Sequence, residues 1–268
     1  MVGVLDRLLL SFCCVNTCIY TTKRVPLHQT RASMTSKTIR KRVWGFEEGK
    51  VFRMEDLKLS RTEQNAAVVA LGRLVQEGAI ERLSPGVYYK PKQTKFGIVG
   101  PALEERFKDL LYKNDIPIGY LTGLYAFNLL GLTTQQSTTL EIGTNFPGRR
   151  RRRGIYAIRF VLQKNMITRE NIELLRLLDC LKWIKKIPDT AIDKSYSLLK
   201  TKVNRYSQKR KKLLVELAMR YSPLTRALLG SMLDEEPLAA ELHRTLSPLT
   251  RFRIGLSSKS ISNQWNIE

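Results

Sequence analysis

Histidine and cysteine are scarce in this chain, which has two histidines and four cysteines among its 268 residues. Three of the cysteines lie within the first 20 residues, so Cys180 is the only one in the body of the chain. The body therefore lacks a disulfide framework and a cysteine metal site, which fits a reducing cytosol. Cys180 itself lies in an apolar predicted helix and is expected to behave as a small core residue.

Motifs for catalysis are also missing from the sequence. The chain has no Walker loop, no dinucleotide-binding glycine pattern and no clustered metal ligands. His28 falls close to the N-terminus, and His243 stands alone on a predicted helix, where a structural role is favoured. We therefore expect a protein that is not an enzyme and that binds no cofactor and no metal.

Acidic residues are few relative to basic ones: 24 Asp and Glu stand against 46 Lys and Arg, for a net charge of +22. Such an excess predicts a polyanionic partner, nucleic acid first and an anionic membrane face second. Residues 34–97 carry 13 basic and 7 acidic residues, and residues 148–220 carry 21 and 6. The intervening residues 98–147 carry only 3 and 5, so two separate parts of the chain are basic.

The first 33 residues differ in character from the rest. Val2–Tyr20 is apolar but is interrupted by Asp6 and Arg7, which makes it too polar for a membrane-spanning helix. It also lacks the positive start and the small-residue cleavage site of a signal peptide. Because Met34 begins a sequence typical of a cytosolic protein, residues 1–33 are predicted to be a disordered leader or an upstream extension of the gene model, and the protein to be cytoplasmic.

The stretch from Leu59 to Lys90 predicts a helix followed by a β-hairpin. Ser60 and Glu63 have the spacing of a capping box, which would start the helix at Arg61. Gly78 can end the helix in a left-handed conformation, and strand-like residues then flank the turn sequence of residues 84–86. The apolar stripe at helical spacing consists of Ala67, Ala70, Leu71, Leu74 and Val75.

The preceding residues complete the first predicted domain. Residues 36–44 predict a helix with Ile39 and Val43 on one face, residues 51–52 an extended piece, and residues 54–57 one helical turn. This order of elements is typical of a winged helix-turn-helix, which we place at residues 35–97 with its recognition helix after Ser60. The polar, basic residues 90–97 are interpreted as a linker.

Residues 98–268 predict a mixed, mostly α-helical second domain with a small β-hairpin, so the fold class is α+β. Helices are predicted at 101–112 and 119–130, strands at 138–143 and 155–162 around a turn, and helices from 168 to about 246. Asn171–Ile184 is apolar on more than one face, which predicts a helix that is either sandwiched inside the fold or faces a partner. Lys209–Lys212 opposes a helix dipole, so either that helix begins earlier or the charge serves an anion.

Candidate residues for reading bases lie at the start of the predicted recognition helix: Arg61, Thr62, Gln64 and Asn65. The N-terminal side chains of such a helix reach base edges in the major groove. Arginine matches the two acceptors of guanine, and asparagine or glutamine matches adenine. The alternative is a solvated first turn, since many helices begin with polar residues.

Candidate phosphate contacts lie on the predicted wing and on a run of arginines. The wing offers Arg82, Lys90 and Lys92, whose contacts would position the protein without reading sequence. The run occupies the predicted hairpin tip, where it could be a solvated loop, a phosphate contact or a contact for an acidic protein. Its members are Arg149, Arg150, Arg151, Arg152 and Arg153.

Several segments together resemble the AbiEi-type antitoxin family of abortive-infection toxin–antitoxin systems, over about residues 35–268. They are LGRLVQEGAIERLSPGVYY within 60–90, YLTGLYAFNLLGLTTQQ at 120–136, SPLTRALLGSML at 222–233, LSPLTRFRIGL at 246–256 and WNI at 265–267. The resemblance implies a DNA-binding antitoxin that represses its own operon through double-stranded operator DNA. It also implies a cognate nucleotidyltransferase toxin as a functional partner rather than a tight complex.

The sequence therefore favours a non-enzymatic, sequence-specific DNA-binding repressor and antitoxin, with no membrane partner expected. A general RNA- or ribosome-associated protein is the alternative, because a high positive charge suits that role as well. An enzyme acting on nucleic acid is a third hypothesis, which would need carboxylates or histidines clustered in space.

Overall fold

The protein has an α+β fold with several small sheets. The computed structural model describes residues 27–60, 62–146, 148–233, 237–257 and 264–268, with side chains from residue 36 onward. The chain divides into two compact units after Pro101, four residues beyond the predicted boundary. Within the described residues, every helix is too short or too polar to cross a membrane.

The first unit combines helices with a three-stranded antiparallel sheet of order β1-β3-β2. The prediction that residues 90–97 are a linker is wrong, because a second, two-stranded hairpin begins there and ends at Val99. The elements are α1 (Leu27–Trp44), β1 (Val51–Arg53), a 3₁₀ turn (Glu55–Leu57), α2 (Gln64–Gln76), β2 (Glu81–Ser84), β3 (Val87–Tyr89), β4 (Lys92–Thr94) and β5 (Gly97–Val99).

Helix α1 begins nine residues before its predicted start. Residues 27–33 of the predicted leader are therefore helical, whereas residues 1–26 lie outside the described residues. The predicted apolar face of α1 is confirmed, since Ile39 and Val43 are fully buried against α2.

The apolar stripe predicted for α2 forms the core of the first unit. Ala67, Leu71 and Leu74 are buried together with Phe52 and Ile80. Gly78 has a φ of +69°, which an L side chain rarely adopts, and the N–H of Ala79 closes the helix by donating to the carbonyl of Leu74. The predicted end of the helix and the hairpin that follows are thus confirmed.

The start of α2 differs from the capping-box prediction. The helix begins at Gln64, and only half of the box forms: the Glu63 carboxylate accepts the backbone N–H of Ser60 at 2.9 Å. The hydroxyl of Ser60 donates to the same carboxylate at 2.7 Å instead of accepting from the helix. These bonds hold the pKa of Glu63 below its usual value and leave Thr62 in a turn before the helix.

The second unit joins a four-stranded sheet of order β10-β11-β9-β8 to a group of helices. Its first half contains α3 (Leu103–Arg106), α4 (Lys108–Leu111), β6 (Tyr112–Lys113), β7 (Ile116–Pro117), β8 (Gly119–Thr122), α5 (Leu124–Leu129), β9 (Thr139–Thr144), β10 (Arg151–Arg153) and β11 (Tyr156–Leu162). Its second half contains α6 (Ile172–Lys182), a 3₁₀ turn (Ile184–Lys186), α7 (Ile192–Asn204), α8 (Gln208–Ala218), α9 (Pro223–Met232) and α10 (Pro237–His243).

Helix α6 is the centre of the second core, as its apolar faces predict. Leu174, Leu177, Leu178 and Leu181 are fully buried among residues of α5, α7, α8 and α9. Cys180 is buried with them, which confirms its expected role as a small core residue.

The helix predicted at residues 119–130 is wrong in its first third, where the chain forms strand β8. All four residues of β8 are buried and pair antiparallel with Glu141–Thr144 of β9. A strand buried on both faces shows no alternation, so its apolar residues are compatible with helical spacing. The helix predicted at 101–112 is likewise broken at Phe107 into α3 and α4.

The prediction that strands 138–143 and 155–162 form a hairpin around the arginine run is also wrong. Strands β9 and β11 are parallel, and the hairpin partner of β11 is β10, which contains Arg151–Arg153. The turn lies at Gly154, whose φ is +58°. The arginines therefore lead into and form an edge strand rather than a hairpin tip.

Candidate nucleic-acid interface

Helix α2 exposes a face that begins with amide side chains. Gln64 and Asn65 are exposed in its first turn. The face continues through Val68 and Val69, which are 54% and 56% exposed, and reaches Gly72 one turn later. Because residues three, four and seven positions apart share a helix face, Asn65 lies in line with these three residues.

The acidic residues that bracket α2 already have partners. The carboxylate of Glu77 forms an ion pair with Arg40 of α1, and that of Glu63 is engaged by Ser60. Within Gln64–Gln76 itself the only charged side chain is Arg73, which is exposed. The exposed face of α2 thus presents amide, apolar and one cationic group, a combination suited to a base edge beside phosphates.

The other two residues predicted to read bases lie before the helix. Arg61 falls outside the described residues. Thr62 is exposed, and its hydroxyl lies 3.2 Å from that of Ser60 in the turn that precedes α2. Gln64 and Asn65 therefore lie on the helix as predicted, whereas Thr62 lies in the turn before it.

The three predicted wing cations have different surroundings. Arg82 is exposed on β2 and its Nε donates to the carbonyl of Ser84 at 3.4 Å. Lys92 is exposed on β4, so it lies in the second hairpin and not on the β2–β3 hairpin where it was predicted. Lys90 is half-buried and directs its ammonium to the carbonyl of Phe46 at 3.4 Å. Arg82 and Lys92 are consequently the better placed of the three for an external anion.

The arginine run divides between packing and exposure. Arg153 donates to both oxygens of Asp109 at 2.8 and 2.7 Å and lies 5.4 Å from the ring centre of Phe107. The hydrogen bonds to Asp109 raise the pKa of Arg153 above its usual value. Arg151 lies 5.8 Å from the ring centre of Phe160. Arg151 is nevertheless exposed, as are Arg149, Arg150 and Arg152.

Strand β10 is an edge of its sheet, since it pairs with β11 alone. Charged side chains on an edge strand discourage pairing with a second chain. This physical role suits Arg151 and Arg152 whether or not they also contact phosphates.

The start of α8 at Gln208 decides one of the two alternatives for Lys209–Lys212, namely whether the helix begins earlier. The helix does not begin earlier, so these cations do lie in its first turns. Arg210 donates to Glu173 at 2.6 Å, and Lys211 is 7% exposed, which leaves Lys209 and Lys212 as the exposed members.

A buried polar cluster in the second unit was not foreseen from the sequence. Asp179 of α6, which is 4% exposed, accepts hydrogen bonds from Tyr120 and Thr122 at 2.7 Å and from Tyr221 at 2.9 Å. Burial raises the pKa of Asp179, and the three hydroxyl donors oppose that rise. Gln163 donates to both tyrosine hydroxyls at 2.8 Å, so the cluster ties strands to helices.

A cavity of about 340 Å³ in the second unit is lined by charged side chains that already have partners. Arg176 forms an ion pair with Glu104, and Glu173 is bound by Arg210. The other cation of the lining, Arg169, donates to the carbonyl of Asp115 at 2.6 Å. Among the described residues, no three His, Cys, Asp or Glu side chains are grouped to hold a metal ion.

Comparisons with known proteins give a family and a fold. A family model described as a family of unknown function (DUF6088) matches residues 38–207, more than half of the chain. The crystal structure of the RV2827C protein from Mycobacterium tuberculosis is similar, with 14% identity and a TM-score of 0.53, covering 89% of this chain and 90% of that chain. At this identity the likeness concerns the fold alone. No curated protein matches the sequence.

Proposed function

We propose that this chain, which belongs to the DUF6088 family, is a non-enzymatic, sequence-specific DNA-binding protein that acts in the cytoplasm. The observation that carries the proposal is the exposed face of α2, where Gln64 and Asn65 lie at the helix N-terminus and the two acidic residues that flank the helix, Glu63 and Glu77, have partners. Amide side chains in that position match the acceptor and donor of adenine in the major groove.

The elements around α2 support a winged helix-turn-helix. Helix α1, strand β1, the 3₁₀ turn, α2 and the β2–β3 hairpin follow one another in the order that such a domain requires. In this assignment the 3₁₀ turn is the second helix, α2 is the recognition helix, and the hairpin is the wing. Arg82 on that hairpin and Lys92 beyond it would hold phosphates.

Part of the electrostatic attraction would come from the second unit. Arg149, Arg150 and Arg152 are exposed, and they belong to the region of residues 148–220 that carries 21 basic and 6 acidic residues. Phosphate contacts from such a region strengthen binding to any duplex and make it sensitive to salt. The preference for one DNA sequence over another would then come from contacts of α2 with the bases.

The biological role that we propose is autorepression by an antitoxin. This step rests on the resemblance to AbiEi-type antitoxins, not on the geometry of the protein. The DNA partner would be the protein's own operator, and the functional partner would be a nucleotidyltransferase toxin, acting without a tight complex between the two proteins.

Binding of the full chain to duplex DNA tests the proposal. Fluorescence anisotropy should give tighter binding to a duplex from the region upstream of the protein's own gene than to a shuffled duplex of the same composition. The expected difference is about 10³-fold or more at physiological salt. Equal binding to both duplexes, with equal or tighter binding to single-stranded RNA, would favour the alternative of a general RNA- or ribosome-associated protein.

A further inference from the structure

Two adjacent valines stand on the exposed face of α2. Val68 is 54% exposed and Val69 is 56% exposed. The core-facing stripe of the same helix is complete without them, because Ala67, Ala70, Leu71 and Leu74 are all buried. Each exposed valine forgoes the stabilisation that burial of a branched apolar side chain gives, so their position is not explained by the packing of the first unit.

The helix surface next to these valines is open, and helix α2 itself carries no acidic residue. A Cβ added to Gly72 would meet nothing within 4 Å, so a ligand can approach this part of the helix closely. Arg73, the next residue, supplies a cation at the edge of the face. A ligand that suits this surface combines apolar groups with negative charge.

The geometry of the helix relates the valines to Asn65. Val68 and Val69 follow Asn65 by three and four residues, which is roughly 5 Å along the helix axis at about 1.5 Å per residue. One base step is about 3.4 Å. A helix that brings Asn65 to one base pair therefore brings the valines to the next pair or the one after it.

We infer that Val68 and Val69 contact the 5-methyl groups of thymines in the major groove and select T·A pairs beside the pair that Asn65 contacts. Thymine is the base that presents an apolar group there, and apolar side chains recognise it. The inference rests on the proposed function and adds the chemistry of the operator. A second copy of the chain would be a different occupant, but two valines among amides offer little of the roughly 800 Å² that each partner of a stable interface buries.

The test begins with selection of binding duplexes from a random library by the full chain. The best duplex is then synthesised with deoxyuridine in place of each thymidine in turn, which removes only the 5-methyl group. We expect binding to weaken about fourfold per contacted methyl group at one or two positions. The double variant Val68→Ala, Val69→Ala should bind the thymidine duplex more weakly and should respond to neither deoxyuridine substitution.

A matched control is Ile116→Ala, which removes an apolar side chain that is 65% exposed in the second unit. This variant should keep the full response to deoxyuridine. A selected motif whose binding is insensitive to deoxyuridine, or an equal response in the double valine variant, overturns the inference and leaves the proposed function standing. A selection that enriches no motif overturns both. Loss of self-association in the valine variant, without a change in DNA binding, would assign the face to a second copy instead.

Discussion

The two units place the same two residue types, glutamine and asparagine, in opposite environments. In the first unit Gln64 and Asn65 are exposed on α2. In the second unit Gln163 and Asn165, which follow β11, are 7% and 4% exposed; Gln163 donates to Tyr120 of β8, and Asn165 donates to the carbonyl of Leu217 in α8. Residue type alone does not say whether a polar side chain stabilises the fold or is available to a ligand; its position does.

Arginine shows the same contrast within the second unit. Arg153 and Arg176 are engaged by Asp109 and Glu104, whereas Arg149, Arg150 and Arg152 are exposed. A count of charges therefore overstates what the second unit can offer to a polyanion. The exposed part of the arginine run is basic and contains no amide side chain, whereas helix α2 exposes amide side chains and a single cation.

Substitutions in the two cores should have the largest effects on stability. Leu71→Ala in the first unit and Leu178→Ala in the second each remove a fully buried side chain, at a cost of about 2–5 kcal/mol. Because each unit has a core of its own, hydrogen exchange should accelerate only in the unit that carries the substitution. Faster hydrogen exchange in both units after either substitution would show that the two units unfold together as one cooperative structure.

Removal of three of the four exposed arginines of the run should change the salt dependence of DNA binding. In the triple variant of Arg149, Arg150 and Arg152 to Ala, the slope of log K against log salt concentration should become shallower by about 0.9 for each phosphate that the variant no longer binds. Anisotropy titrations at several salt concentrations measure the slope. An unchanged slope would place the run away from the DNA and leave protection of the sheet edge as its role.

Arg153→Ala is the matched control for the triple variant. Its guanidinium is engaged by Asp109, so its removal should leave the salt slope unchanged. Since this partly exposed pair is screened by solvent, thermal unfolding should show a decrease in stability of only about 1 kcal/mol.

Two asparagine substitutions test the contrast between the amides directly. Asn65→Ala should leave stability unchanged and relax discrimination at one base pair by about 1–3 kcal/mol. Asn165→Ala removes hydrogen bonds to the carbonyl of Leu217 and to Gln163 and should lower stability by about 1–3 kcal/mol with discrimination intact. Equally weakened binding to operator and shuffled DNA for Asn65→Ala would argue against base reading.

The buried carboxyl of Asp179 should make the second unit sensitive to pH. Burial raises its pKa above the ordinary value of 3.8, so the folded state binds the proton more tightly than the unfolded state. The resulting stabilisation is complete below pH 3.8 and is lost as the pH rises from there through the raised pKa, at about 1.4 kcal/mol per unit of pKa difference.

Comparison with Asp179→Asn isolates this effect. Glu63 and Glu173 have lowered pKa values and act in the opposite direction, but they are common to both proteins and cancel in the difference. Denaturant unfolding between pH 3 and 8 should show that the wild-type protein loses stability relative to the variant as the pH rises. Parallel pH profiles would mean that the hydrogen bonds from Tyr120, Thr122 and Tyr221 fully offset the rise in the pKa of Asp179 that burial causes.

Local periodicity is what made part of the fold predictable. The stripe of α2, its end at Gly78 and the buried faces of α6 follow from the spacing of apolar residues and from one glycine. Strand β8 was missed because Tyr120 and its neighbours are buried on both faces, which removes alternation. Its packing also depends on a distant residue, since a Cβ on Gly143 would lie 2.6 Å from the ring of Tyr120.

The candidate site was predictable only where its residues depend on neighbours that are close in the sequence. Gln64 and Asn65 follow from the helix start, although the helix begins later than the capping box indicates. The engagement of Arg153 by Asp109 joins residues 44 positions apart, and the bond from Tyr120 to Asp179 spans 59. No pattern in a single sequence reveals such pairs, so the arginine run looked uniform and the buried cluster was not seen.

The smallest expected effect concerns two lysines that are close in sequence and differ in surroundings. Lys92 is exposed, whereas the ammonium of Lys90 lies 3.4 Å from the carbonyl of Phe46 in a half-buried position. Lys92→Ala should therefore reduce the salt slope of DNA binding by about 0.9, the value for one phosphate, and Lys90→Ala should leave it unchanged. An equal reduction for both would show that Lys90 leaves Phe46 when DNA is bound, and that exposure in the free protein is a poor guide to which of these lysines hold phosphates.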